Sequence, residues 1–324
     1  MRTKEQFLML FVLGGMMLAG LTACSSDDDT KSTKETEKTP VENEVKVRRL
    51  TITEVEGDAA DAKQALTRAT LEEDESGLVP SWEAGDELTY CNLSRMQYNG
   101  EEEEEEEDVP VSGNLTATTT AATSQFTGNV TCSAGDYLAV VYPATTTFTA
   151  SDNTFSYTLP LTGQDGTLAG LATRFHYVYG KALVNSVTDA TADATMPKMK
   201  SLLTVCKFSF VDKATNEAIP IKSLSISYGG TGGDAGTYPQ TATVAIGANT
   251  AQDDVHATGE ASNSPLLLEG SGEAFYVALL PTAAQRTFRF TVTDDSGSTY
   301  TGTAKATLTE GEYVEATGLR LTKQ

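Results

Sequence analysis

The stretch that decides the fold class is residues 137–143, Tyr-Leu-Ala-Val-Val-Tyr-Pro, the most apolar of many short runs in this chain of 324 residues. Its branched and aromatic side chains favour a strand, and its proline favours the strand's end, because proline cannot donate to a β-ladder. On both sides, short alternating runs are closed by Gly, Asp, Asn or Pro. Regularly spaced short strands of this kind are typical of β-sandwiches. We therefore predict an all-β protein.

The alternation falls into two series of strands, separated by a small polar stretch at residues 187–200. The first series is predicted at 45–55, 87–93, 125–132, 136–142, 154–159 and 182–184. The second is predicted at 202–211, 219–228, 241–246, 265–268, 274–280, 287–293, 299–308 and 312–321. This organisation predicts a signal peptide (1–23), a disordered tether (24–44) and two tandem sandwich domains (45–195 and 196–324).

The N-terminus is similar to a bacterial lipoprotein signal. Arg2 and Lys4 precede an apolar run, residues 7–21, that is short for a membrane-spanning helix. The run ends in Leu-Thr-Ala-Cys, which resembles a lipobox, so we expect Cys24 to carry lipid that anchors the chain in the outer membrane. The Ser-Ser-Asp-Asp-Asp that follows is similar to the surface-export signal of Bacteroidetes lipoproteins, and it also fits a solvated tether.

The charge of the chain narrows the range of partners. The formal net charge is −22 at pH 7, and such a negative field repels phosphate, so we expect no nucleic-acid partner. Eight of the acids lie in one run at residues 101–108. A calcium loop needs carboxylates at alternating positions, so this run is predicted to be a solvated loop and not a metal site.

Residues suited to catalysis are scarce. The chain has two histidines, His176 and His256, and no serine-hydrolase or zinc-protease motif. The glycine-rich stretch at residues 229–236 lacks the Gly-Lys-Ser/Thr of a phosphate-binding loop and is predicted to connect two strands. We expect no enzyme activity, no catalytic residue, no metal and no cofactor.

The tryptophan and the cysteines are more suited to packing than to chemistry. Trp82, followed by Gly85-Asp86, is predicted to anchor a turn and the core; the alternative is a sugar-stacking platform. Cys206 is expected to be a buried apolar filler between aromatic residues. Cys91 and Cys132 could form a disulfide or remain free.

The first predicted strand contains an irregularity in its pattern. Val45 and Val47 occupy odd positions, whereas Leu50 and Ile52 occupy even ones. The inward face is therefore expected to switch at residues 48–49, where we predict a bulge or a break. The following residues, 57–80, are predicted to form an exposed acidic loop with a helical turn at 61–65.

Taken in order, several segments resemble the fimbrillin family of pilus lipoproteins from Bacteroidales. The matching segments are the lipobox with its acidic follower (21–29), 82–88, 126–130, 134–143, 203–210, 275–281 and 310–314. The resemblance implies two transthyretin-like β-sandwich domains and a non-enzymatic structural or adhesive role in a pilus. In the family, an Arg-specific protease removes the N-terminus with the first strand, and the groove then accepts a strand from a neighbouring subunit.

The resemblance assigns roles to named residues of this chain. Arg68 fits the cleavage site, so that the surface form would begin at Ala69, and Leu50 and Ile52 would belong to the strand that vacates the groove. The alternative is that Arg68 is only a solvated loop charge. The implied partners are other pilus subunits through strand exchange, the outer-membrane lipid anchor through Cys24, and a host or bacterial surface ligand.

The resemblance is weaker at the C-terminus. Polymerising family members carry an extra C-terminal segment that serves as the donor strand, whereas residues 312–321 are predicted to be the last strand of the second domain here. This favours an end-of-fibre position, such as a tip, over a repeating stalk. The alternative function is a permanently anchored surface module that binds glycan or host protein without polymerising.

Overall fold

The computed structural model describes residues 45–55, 70–74, 77–96, 111–145, 148–151 and 154–324, and their regular structure is almost entirely β-strand. The strands up to residue 195 are β1 Lys46–Val55, β2 Thr70–Asp74, β3 Gly77–Ser81, β4 Glu87–Asn92, β5 Ser112–Ala117, β6 Ser124–Cys132, β7 Tyr137–Tyr142, β8 Phe148–Ser151, β9 Thr154–Pro160, β10 Val178–Val187 and β11 Thr191–Thr195. Those that follow are β12 Lys200–Ser201, β13 Thr204–Asp212, β14 Ile221–Tyr228, β15 Thr241–Gly247, β16 Thr258–Gly259, β17 Leu266–Gly272, β18 Phe275–Leu279, β19 Arg286–Thr293, β20 Thr299–Ala306 and β21 Tyr313–Lys323. The described ranges also contain helix α1 (Leu168–Arg174) and a 3-10 turn (Gln252–Asp254). The prediction of an all-β fold is confirmed.

The first sheet closes on itself. Its strands pair in the order β11-β1-β6-β5-β4-β7-β10, and β10 also pairs with β11, which completes a ring of seven strands. The short strand β12 adds to the beginning of β10. A closed sheet keeps its backbone hydrogen-bonding groups paired, which is how barrels avoid exposed edges.

Trp82 belongs to the core cluster of this ring and is fully buried. Its indole meets the rings of Phe126 and Tyr142 edge-on, with centroid separations of 4.8 Å and 5.4 Å. The following turn contains Gly85 at φ +98°, a conformation that glycine adopts without steric cost. The predicted turn-and-core role of Trp82 is confirmed, and the sugar-platform alternative is wrong.

A second sheet is built from the later part of the chain. Its seven strands have the order β17-β14-β19-β20-β21-β13-β18, and β13 runs parallel to β21. Phe290 packs against Phe208 and Phe210, with ring centroids 5.1 Å and 5.6 Å apart. β19 and β20 form a hairpin, and Gly297 supplies the positive φ of +83° at its turn.

A third sheet combines strands from both sides of the predicted domain boundary at residues 195/196. Its order is β16-β15-β9-β8, and β9 pairs antiparallel with β15 along its whole length. Phe155 of β9 lies in the same core cluster as Val244 and Ile246 of β15. All of the described residues fall in one compact unit, Pro40–Gln324. The two-domain division stays a prediction, and any boundary must accommodate this shared sheet.

The polar stretch at residues 187–200, where the sequence places the boundary between the two series of strands, contains a strand of the ring. In β11, Ala192 and Ala194 are buried while Thr191, Asp193 and Thr195 are exposed. β11 pairs parallel with β1 and antiparallel with β10, so it closes the ring. The sequence did not predict β11, because small alanines supply its inward face where larger apolar residues are usual.

Candidate functional site

The candidate site is β1 and the slot that it occupies in the ring. β1 lies between β6 and β11: it pairs antiparallel with β6 over residues 46–52 and parallel with β11 over residues 49–53. Both neighbours come at least 69 residues later in the chain than the β1 residues with which they pair. β1 is therefore held by two long-range ladders, with no hairpin turn joining it to either neighbour.

The inward face of β1 carries the two aliphatic residues of the predicted groove. Leu50 and Ile52 are 0% exposed and belong to the core cluster of the ring, together with Trp82 and Phe126. Val45 and Val47, on the outer face, are 42% and 58% exposed. Burying a Leu or Ile side chain contributes about 1.5–3 kcal/mol, so this face supplies much of the strand's attachment.

The predicted bulge at residues 48–49 is wrong. Pairing with β6 is regular across both arginines, and the register shifts only between Ile52 and Val55. Arg48 is 1% exposed and shares the inward face with Leu50 and Ile52, whereas Arg49 is exposed. The face does not switch because a charged residue, and not Val47, takes the inward position.

Backbone carbonyl groups accept hydrogen bonds from the buried guanidinium of Arg48. Its Nε donates to the carbonyl oxygen of Thr188 at 2.7 Å, and its Nη1 donates to the carbonyl oxygen of Cys132. Thr188 lies in the turn between β10 and β11, and Cys132 is the last residue of β6. The side chain of Arg48 therefore bridges the two walls of the slot.

The same end of the ring holds a second buried polar cluster, around Asp136. The carboxylate of Asp136 accepts two bonds of 3.0 Å from the guanidinium of Arg95, one of 2.9 Å from Asn92 and one of 3.0 Å from the backbone N–H of Ser133. The cluster ties together the ends of β4, β6 and β7.

The three cysteines of the described ranges are free and buried. Burial raises the pKa of Cys91 to about 12 and that of Cys132 to about 11, so neither is a reactive thiolate at neutral pH. Their side chains lie in different core clusters, and a disulfide between them is therefore contradicted. Cys206 is 1% exposed, as predicted for an apolar filler.

The other residues that were considered for catalysis or ligand binding are buried or take part in structural contacts. His176 is buried, and Nδ1 of His256 lies 2.7 Å from Oε1 of Glu310. The glycine-rich segment connects β14 to β15, and Asp234 within it forms an ion pair with Arg286. Among the residues described, no three potential metal ligands come together.

No helix within the described ranges is long and apolar enough to cross a membrane.

Three residues assigned from the sequence, Cys24, Arg68 and Ala69, lie outside the described residues, as do the acidic run at 101–108 and the helical turn predicted at 61–65. Arg68 falls between β1 and β2, two residues before β2 begins. The described residues that follow the predicted cleavage site are those of β2.

β2 is attached to the second sheet through what we call the Glu73 clasp, formed by Glu73, Lys207, Tyr276 and Tyr313. Nζ of Lys207 lies 2.5 Å from one carboxylate oxygen of Glu73 and 2.7 Å from the other. The hydroxyls of Tyr276 and Tyr313 donate to the same carboxylate at 2.5 Å and 2.7 Å. The clasp could not be predicted from the sequence, because the other members are 134 to 240 residues away from Glu73 and no local pattern connects them.

The clasp holds Glu73 ionised. Partial burial alone would raise the pKa of Glu73, but the hydrogen bonds from Lys207, Tyr276 and Tyr313 outweigh it and lower the pKa from 4.5 to about 2. A folded-state pKa below the unfolded value gives stability that is present above about pH 4.5 and lost as the pH falls towards 2. The attachment of β2 is therefore expected to weaken in acid.

Glu73→Gln is expected to lower the free energy of unfolding by about 1 kcal/mol at pH 7. The neutral amide loses the ion pair with Lys207, and its NH2 group cannot accept the hydrogen bonds that the carboxylate oxygen accepted. The difference between wild type and variant should shrink as the pH falls from 4.5 to 2. Urea unfolding at a series of pH values measures this. Glu72→Gln, on the neighbouring exposed residue, is the control, and an equal effect of both substitutions would contradict the role of the clasp.

No family model matches the chain. No curated protein matches it either. Solved structures do match. A candidate cell adhesion protein from Bacteroides uniformis aligns over 88% of this chain and 98% of its own, with a TM-score of 0.51 and 15% sequence identity. The two chains share a fold.

Two further solved structures align at comparable coverage and lower scores. A candidate cell adhesion protein from Bacteroides ovatus covers 87% of this chain and 96% of its own, with a TM-score of 0.48 and 11% identity. A shaft pilin from Lactobacillus rhamnosus covers 87% and 98%, with a TM-score of 0.33 and 12% identity. The fold comparison rests on the Bacteroides uniformis protein, whose alignment spans nearly the whole of both chains.

Proposed function

We propose that the chain is a fimbrillin-like surface lipoprotein, a non-enzymatic structural or adhesive component of a pilus. In this proposal the chain reaches the outer face of the outer membrane on a lipid at Cys24. A protease then cuts after Arg68, β1 leaves with the tether, and a strand from another subunit fills the slot. After processing, the protein belongs to the fimbrium.

The observation that carries the proposal is the position of β1 in the ring. It is the first described strand of the chain and pairs on both sides with strands that come much later. Its removal would open the ring between β6 and β11 and leave two unpaired backbone edges beside the space of Leu50 and Ile52. An open edge with apolar pockets at alternate positions is the kind of surface that binds an added strand.

The Glu73 clasp supports the predicted cleavage position. A chain that begins at Ala69 would start immediately before β2, and Glu73 attaches β2 to β13, β18 and β21 of the second sheet. Cutting after Arg68 would therefore separate β1 from the hairpin of β2 and β3, which the Glu73 clasp attaches to the second sheet. The part of the chain that remains would keep its contacts.

The fold comparison is consistent with this proposal. The Bacteroides uniformis protein that shares the fold is a candidate cell adhesion protein, which agrees with a surface role for this chain. The alternative is the permanently anchored module that binds glycan or host protein. A cluster of exposed aromatic residues would favour it, but among the described residues Tyr137 is the one large aromatic that is exposed.

Arg68→Ala is expected to abolish maturation. Surface protein from cells that express the wild type should begin at Ala69, whereas the variant should keep its N-terminus, including lipid on Cys24. Intact-mass measurement and N-terminal peptide mapping distinguish the two forms. Arg49→Ala is the control, because Arg49 lies inside a paired strand, where a protease needs the strand to open first. Wild-type surface protein that still begins at Cys24 would contradict strand removal and favour the anchored module.

A further inference from the structure

A strand with alternating apolar residues does not by itself define its position in the slot. A shift of one residue turns the apolar side chains outward, but a shift of two residues returns them to the inward face. Leu50 and Ile52 are two residues apart, so either of them could occupy the pocket of the other. Another feature of β1 must select between registers that differ by two residues.

Arg48 is that feature. It occupies the inward position two residues before Leu50 and is 1% exposed. A shift of two residues towards the C-terminal end of β1 would move its guanidinium into the pocket of Leu50, which lies among apolar side chains. Burying a cation without acceptors is far more costly than exchanging one aliphatic residue for another.

Two acceptors of the Arg48 side chain belong to the slot, and a third, the carbonyl oxygen of Lys46 at 3.5 Å from Nη1, belongs to β1 itself. The carbonyl groups of Thr188 and Cys132 lie on opposite walls of the slot and accept from Nε and Nη1. Nη2 has no acceptor in the described part of the chain. Replacing the guanidinium would leave the two carbonyl oxygens buried without their donor, which is costly even though Nη2 itself is unsatisfied. The best-supported use of such a buried polar group is to define register.

We propose that the slot of β1 contains an arginine receptor, and that it selects a donor strand with Arg at the first of three successive inward positions and aliphatic residues at the next two. The receptor comprises the carbonyl oxygens of Cys132 and Thr188. A guanidinium presents several donors in a planar fork and reaches both oxygens at once, whereas a lysine ammonium is a single point of charge. This inference rests on the proposed function, because it concerns the strand that replaces β1.

The test uses the full chain cut after Arg68, with the cut verified by mass. A fluorescent peptide with the wild-type sequence of residues 46–55 is bound in the slot and displaced by unlabelled peptides. The competitors are the wild-type sequence and its Arg48→Met and Arg49→Met variants. The two substitutions are chemically identical and adjacent, but only residue 48 faces inward. We expect the Arg48→Met peptide to compete about tenfold less well, and the Arg49→Met peptide to stay within about twofold of the wild type.

The outcomes distinguish a failure of the proposed function from a failure of the arginine receptor. If the chain is not cut after Arg68, or if the wild-type peptide is not taken up, the proposed function is wrong and the inference falls with it. If the wild-type peptide is taken up and the two variants compete equally, strand exchange stands and the arginine receptor is overturned. In the uncut chain, Arg48→Met should lower the midpoint of thermal unfolding while Arg49→Met leaves it unchanged, and equal midpoints would also overturn the receptor.

Discussion

Leu50→Ala is expected to lower the free energy of unfolding of the full chain by about 2–5 kcal/mol. The side chain is fully buried within the ring core, so its truncation removes apolar contacts and leaves a cavity that a closed sheet cannot easily collapse to fill. Chemical denaturation of the full chain, followed by circular dichroism, measures the loss.

Val47→Ala is the matched control for this prediction. Val47 lies on the same strand but is 58% exposed, and its truncation should change the free energy of unfolding by no more than about 0.5 kcal/mol. If both substitutions had the same effect, β1 would not be held through its inward face.

Trp82→Ala is expected to cost about 3–5 kcal/mol, the range found for large aromatic residues in cores. Trp82 fills the ring core between Phe126 of β6 and Tyr142 of β7. Phe126 is also the cross-strand partner of Ile52, so the loss of Trp82 should also weaken the packing of β1 in the slot. Urea unfolding measures the stability, and hydrogen exchange in β1 measures the loosening.

Tyr137→Ala controls for the loss of an aromatic ring. Tyr137 is 44% exposed, and Nζ of Lys181 lies 5.0 Å from its ring centroid. An exposed cation–π contact contributes about 0.5–1 kcal/mol, so this variant should remain close to the wild type. A loss as large as that of Trp82→Ala would mean that Trp82 has no special place in the core.

The strands that sequence analysis predicted correctly are those with large inward side chains. In β7 and β13, aromatic and branched residues alternate or run continuously, and both are present close to their predicted bounds. β11 is different, because alanines form its inward face and threonine and aspartate its outer face. Its extended form depends on pairing with β1 and β10 on its two sides. The local sequence pattern of β11 does not show that these neighbours exist.

The slot was only half predictable for a related reason. Leu50 and Ile52 indicate a buried face of β1 because they are apolar. Arg48 does not, because an arginine is buried only where fixed acceptors receive it. Those acceptors are backbone carbonyl groups at Cys132 and Thr188, 84 and 140 residues away. A carbonyl group has no sequence signature, so the inward arginine could be found only in the folded ring.

Helix α1 shows a local signal that was present but weak. The hydroxyl of Thr167 caps the helix by accepting from the N–H of Gly170 at 3.0 Å, and threonine is a favourable residue at that position. The helix has only seven residues and buries Leu171 and Ala172. So short a segment has little periodicity, and its helical form depends on packing against the sheets.

The central claim, that β1 must leave the ring for assembly, is tested most directly by locking it in place. Thr51 of β1 and Thr127 of β6 are directly opposed in antiparallel strands, where Cα atoms lie about 4.5–5.5 Å apart, a spacing suited to a disulfide. The double variant Thr51→Cys/Thr127→Cys should be exported and cut like the wild type. It should not be incorporated into fibres until a reductant releases the strand.

The matched control places the same bond elsewhere. Thr291 of β19 and Thr301 of β20 are also directly opposed and partly buried, in a hairpin that stays paired when β1 leaves the ring. The measurement is the amount of each disulfide variant incorporated into fibres, by immunogold electron microscopy, with and without reductant. We expect that only the lock on β1 blocks incorporation and that reduction restores it. Wild-type incorporation of the oxidised Thr51→Cys/Thr127→Cys protein would contradict the removal of β1.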